Sequence, residues 1–146
     1  GEMLAELASF LLESEHPELV EEFFIARTDD KRALLAGRMK NLGASDRLNE
    51  IARSLSQDGF LAEAAFESGE PIGLRLCHCP LRDLIAVTHL PCRAEMRLVE
   101  ALLGRPLVRT QFMPDGDTSC TYALAAAPRR QRKPASAVGR IRPVTT

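Results

Sequence analysis

The first half of this 146-residue chain contains no cysteine; all four lie in the second half, at Cys77, Cys79, Cys92 and Cys120. No apolar run approaches the roughly 20 residues of a membrane-crossing helix, so no helical span is expected. The opening Gly1-Glu2-Met3-Leu4 has no basic n-region, and no signal peptide is read there. A cytoplasmic location follows as the expectation, a reducing compartment in which thiols serve as ligands or sensors more often than as disulfides. No nucleophile elbow, phosphate loop or HExxH pattern is present, so an enzyme is not expected. Internal repeats are missing as well. The final stretch, 128–146, holds six basic residues, three prolines and no acid. It reads as a disordered basic tail, better suited to solubility than to nucleic-acid binding.

The net charge of −1 conceals that asymmetry. Residues 1–127 carry 13 basic against 20 acidic residues, a net of −7. An acidic body of this kind is a poor DNA-binding surface by itself. Apolar content of 45% and charge of 27% are those of a globular protein large enough for a core without disulfides.

The apolar spacing predicts helices over most of residues 1–57. Met3, Leu4, Leu7, Phe10 and Leu11 form a wide apolar ring, read as a packing or homodimerisation helix. Pro17 opens a helix that runs to about Ala26. Thr28 or Asp29 caps the next, with Leu34, Leu35 and Met39 inward and Gly43 as its closing glycine. Ser45 caps a segment whose stripe is Leu48, Ile51, Ala52 and Leu55, ended at Asp58-Gly59. From Phe60 the period becomes two. Two runs, Phe60–Phe66 and Ile72–Leu76, read as a hairpin with a four-residue turn, Ser68 to Pro71. Two helices follow, a short one from Pro80 to Val87 and a longer one from Pro91 to Gly104. A second hairpin, Leu107–Phe112 and Ser119–Leu124, turns at Pro114-Asp115-Gly116-Asp117. The expected class is α+β: N-terminal helices 1–57, then a β2-α2-β2 module at 60–126 with a mainly antiparallel sheet. One sensor or dimerisation domain over 1–127 is anticipated.

The cysteines fall where this pattern changes element. Cys79 follows a strand and Cys92 sits in the first turn of a helix, where the helix dipole favours thiolate, the metal-binding form. Cys120 starts a strand after a tight turn. Cys77 is in phase with Arg75 and is expected on the face opposite Leu74 and Leu76. His89 lies between Cys79 and Cys92 and can complete a four-ligand set. Spacing alone is equally compatible with small buried hydrophobes. Three cysteines plus one histidine also make a structural zinc site, although only Cys77 and Cys79 are close in sequence.

The words around these thiols are more specific. Cys79-Pro80-Leu81-Arg82-Asp83-Leu84, Pro91-Cys92-Arg93, Leu102-Leu103-Gly104 and Gly116-Asp117-Thr118-Ser119-Cys120 resemble the C-terminal sensor domain of SufR-like transcriptional regulators, of the ArsR/DeoR-type winged-helix group. The resemblance covers most of 1–125 and is densest from 77 to 122. It implies an iron–sulfur cluster, of the 4Fe–4S kind, held by Cys79, Cys92 and Cys120. Some members of that family carry a further cysteine between the last two, where this chain has Gly104-Arg105-Pro106. The fourth position is therefore left to His89, Cys77, an acidic side chain or a small molecule. The resemblance also implies a homodimer, touching DNA only through a winged-helix domain that residues 1–57 do not supply. The chain is then the sensor part of a longer regulator, or a stand-alone relative. Fold kinship does not fix the ligand. A zinc-bearing or metal-free small-molecule sensor is the alternative, with a cavity lined by Phe60, Phe66, Leu74 and Phe112.

Overall fold

A computed structural model describes residues 1–126; the basic segment 128–146 lies outside the described residues. Within them, three helices precede a four-stranded sheet into which a helix pair is inserted, so the class is α+β. The helices are α1 (Glu2–Leu12), α2 (Glu18–Arg38) and α3 (Ala44–Gln57). Strands β1 (Ala62–Glu67) and β2 (Glu70–Leu76) come next. A single turn, α4 (Arg82–Ile85), and α5 (Leu90–Leu103) separate them from β3 (Leu107–Gln111) and β4 (Cys120–Leu124).

In α1 the small residues face inward. Ala5 and Ala8 are buried, whereas Met3, Leu7 and Phe10, spaced to share one stripe, are exposed. Helix α2 corrects the expected break near Thr28. No proline or glycine interrupts 18–36, and the Thr28 hydroxyl donates to the Phe24 carbonyl 2.9 Å away. That bond turns a residue able to cap a helix into one that continues it. Two cap assignments change accordingly. Gly43 is the N-cap of α3, and Ser45 lies inside that helix, donating to the Gly69 carbonyl. Leu48, Ile51, Ala52 and Leu55 are buried as their spacing predicts, and Gly59, at φ +95°, follows the helix.

The first turn is tighter than expected. Glu67 pairs with Glu70, so Ser68 and Gly69 alone make the turn, at φ +50° and +80°. Two positive φ values match the twist of a two-residue hairpin. Pro71 therefore belongs to β2. It sits beyond the four residues Gly73–Leu76 that pair with β4, where no amide is needed on that side.

The sheet order is β1-β2-β4-β3, with every neighbouring pair antiparallel. One face, carrying Leu74, Leu76, Cys120 and Tyr122, joins Leu48, Ile51, Leu55, Val99 and Leu102 in the main core. A smaller cluster of Ala8, Val20, Phe24 and Leu84 ties α1 and α2 to α4. Between these clusters Lys31 of α2 bridges Asp58, at the end of α3, and Glu95 of α5. Leu76 is the β2 partner of Cys120. The exit of β2 and the start of β4 thus lie side by side at one end of the sheet.

Candidate functional site

That end of the sheet is where the thiols gather. Past Leu76 the chain keeps its bonds to the β1 side: the Cys77 amide donates to the Leu61 carbonyl (3.2 Å) and the His78 amide to that of Phe60 (3.0 Å). It then turns through Pro80 into α4. His89 caps α5, and Cys92 occupies the third helical position, just after the buried Pro91. Cys120 opens β4, and its sulfur accepts a hydrogen bond from the Met113 amide at 3.3 Å. The intervening loop is held by Asp117, whose carboxylate accepts from the Phe112 amide at 2.7 Å.

All four cysteines line one cavity of about 690 Å³, together with His78, Arg82, His89, Phe112 and Asp117. A much smaller chamber, about 30 Å³, lies behind it. Cys79, Cys92 and Cys120 line both spaces, whereas Cys77 lines only the larger. All four are free thiols; Cys120 is buried and the other three are half-buried. Cys77, expected on the face opposite Leu74 and Leu76, lies outside the main core and the small chamber but contributes to the wall of the large cavity, just past the end of β2. His89 is on the same wall, edge-on to the Phe112 ring with centroids 5.3 Å apart. Of the aromatic and aliphatic residues expected around a ligand, Phe112 lines the large cavity and Phe60 the small one. Leu74 is packed in the core and Phe66 is exposed.

Two of the thiols, Cys92 and Cys120, are held toward the neutral form. Burial pushes the Cys92 thiol up from 9.0 to about 11, with added repulsion from Cys79 and Cys120. Burial raises Cys120 as well, against its bond from Met113. The helix N-terminus expected to favour the Cys92 thiolate is outweighed by desolvation. Because the folded state prefers the neutral thiol, Cys92 contributes stability that is whole below pH 9.0 and lost as pH rises through about 11. Urea midpoints measured across that window should fall more steeply for the wild type than for Cys92→Ala. Parallel slopes would show that Cys92 does not sense the fold.

Among the described residues no three His, Cys, Asp or Glu side chains stand close enough to hold a single metal ion. A mononuclear zinc site requires its donors to close on one point. A polynuclear cluster places each thiolate on a different iron and so accepts sulfurs further apart. Thiolate is the donor type such clusters use, and three thiols on three separate elements line one cavity here. Comparison with protein-family models, with curated proteins and with solved structures finds no match to this chain. Among the described residues no helix is long and apolar enough to cross a membrane.

Several cavity residues were not singled out from the sequence, notably Arg82, Asp117 and Tyr122. Arg109, beside the cavity, was also missed. Its guanidinium carbon lies 3.7 Å from the centre of the Phe112 ring.

Proposed function

We propose that this chain is a non-catalytic sensing module that takes an iron–sulfur cluster on Cys79, Cys92 and Cys120. In this reading it controls DNA binding by a winged-helix domain outside the sequence given. The observation that supports it is the meeting of three cysteines, from the β2 exit, the α5 start and the β4 start, on a shared cavity wall. His89 and Cys77 are the residues of this chain available for a fourth position. When bound, the cluster supplies a redox-sensitive cross-link between these three elements. The residues do the rest. Cys92 ties the start of α5, Cys79 the β2 exit and Cys120 the β3–β4 hairpin, so loading fixes their relative placement. Helix α5 packs on α2, and α4 packs on α1. Exposed Met3, Leu7 and Phe10 make α1 the proposed homodimer helix, through which a change at the thiols reaches attached DNA-binding domains. The wide cavity favours one other reading, a small-molecule sensor on the same fold, in which the thiols line the pocket without metal.

Anaerobic reconstitution with iron and sulfide separates these readings. The wild type should gain broad absorption near about 400 nm with stoichiometric iron and sulfide. The Cys79→Ser/Cys92→Ser/Cys120→Ser variant should gain neither. Colourless protein carrying zinc would make the site structural. Protein without any metal would redirect the search to organic ligands.

A further inference from the structure

We infer that Arg109 is the fixed counter-cation of the thiol site and sets how readily a bound cluster accepts an electron; this rests on the cluster reading above. On a straight strand Arg109 and Phe112, three apart, would face opposite sides. The ladder between β3 and β4 is irregular here: Arg109 pairs with Tyr122 and Gln111 with Thr121, leaving Thr110 as an extra residue. Such a bulge re-aims the side chains that flank it. It places the Arg109 guanidinium over the Phe112 ring, 3.7 Å from its centre. Phe112 in turn lines the large cavity with Cys92 and Cys120. Arg109 also lines a side cavity of about 320 Å³ with His89, Cys92, Arg93 and Tyr122. A cation stacked on a ring keeps a defined position even when partly solvated.

The charge stands beside the site: Arg109 and Cys92 line the same side cavity. Three thiolates around an oxidised cluster leave the site formally anionic, and one-electron reduction makes it more so. The step consumes one electron from an external low-potential one-electron donor, which is oxidised; no covalent bond is made or broken. A neighbouring positive charge stabilises the reduced form more than the oxidised one. Removing it shifts the reduction potential to more negative values.

The test is an EPR-monitored redox titration of the reconstituted full chain. It compares wild type, Arg109→Gln, Arg109→Lys and, as a control on the same side cavity, Arg93→Gln. Iron and sulfide content, read in parallel, should be alike in all four. At a fixed potential the ratio of reduced to oxidised cluster should fall about fivefold in Arg109→Gln, the size expected for one partly screened charge. Arg109→Lys, which keeps the charge, and Arg93→Gln should match the wild type. Equal potentials in Arg109→Gln and wild type would overturn the inference while leaving the cluster reading intact. So would an Arg109→Lys protein that behaves like Arg109→Gln, or an Arg93→Gln shift of the same size. Should Arg109→Gln fail to hold a cluster, Arg109→Lys decides: a wild-type potential supports the inference and any other result overturns it. A wild type that takes up no cluster overturns both the inference and the reading beneath it.

Discussion

Gly73→Ala is expected to lower the stability of the fold by about 3 kcal/mol, the upper part of the range for overpacking a close contact. Gly73 is buried in β2, opposite Ala123 of β4. A Cβ built there overlaps the carbonyl oxygen of Tyr122. That oxygen is backbone in a central strand, so it cannot swing aside as a flexible side chain would. The two strands must part, and the main core is built on both. The effect should reach the thiols, because Tyr122 lies two residues beyond Cys120 and lines the small chamber with it. Urea unfolding followed by circular dichroism gives the first quantity, and the rate of thiol labelling of the folded variant gives the second. A loss below about 1 kcal/mol would show that β2 and β4 separate easily, and would remove the argument that this pair fixes Cys120.

Lys31→Met should cost a similar amount, about 3 kcal/mol, for an electrostatic reason. Lys31 is bonded to Asp58 and lies 3.5 Å from a Glu95 carboxylate oxygen that has no hydrogen-bond partner. The Lys31 and Glu95 side chains are only 16% and 12% exposed. Burial already pushes the Glu95 carboxyl up, and Lys31 pulls against that shift. Without the cation, two carboxylates face each other and one of them is buried. The deficit therefore belongs to the charged carboxylate. It should shrink to about half below about pH 4.5, where Glu95 is protonated in both states and only the Asp58 pair is missed, and grow as pH rises. A Lys31→Met/Glu95→Gln double variant should regain about half of the loss at pH 7, since its remaining charge, Asp58, is the more exposed of the two. Urea midpoints at about pH 4 and pH 7 test both statements. A deficit independent of pH would assign the cost to lost packing of the lysine stem.

The patterns legible in the sequence were those set by local chemistry. The stripe Leu48, Ile51, Ala52 and Leu55 and the stop at Gly59 need only one helix to be understood. The two hairpins with a helix pair between them follow from a change of period and from turn residues. What was misread depended on partners elsewhere. Thr28 has the chemistry of a cap, but capping requires the preceding helix to have ended, and nothing in 18–27 ends it. Ser68 takes a positive φ that its residue type does not announce, which hid the two-residue turn. The helix-end argument for Cys92 named a real effect but omitted its competitor, because burial is not visible in spacing. Arg109 gave no signal at all. Its place over Phe112 depends on one extra residue in a ladder, and the number of residues opposite one another is a property of the pairing, not of either strand.

The two spaces beside the thiols also make the site one-sided. The chamber shared by Cys79, Cys92 and Cys120 is about 30 Å³ and lined mainly by apolar groups such as Phe60, Leu76 and Met96, room for about one water at most. The front opens broadly past His89, Arg82 and Asp117. Oxidants, alkylating reagents and incoming iron reach all three sulfurs together only through this large cavity, since the side cavity of about 320 Å³ touches Cys92 alone. A molecule resting in the large cavity covers that shared wall of all three sulfurs at once, so traffic there governs how long Cys79 and Cys120 survive in air.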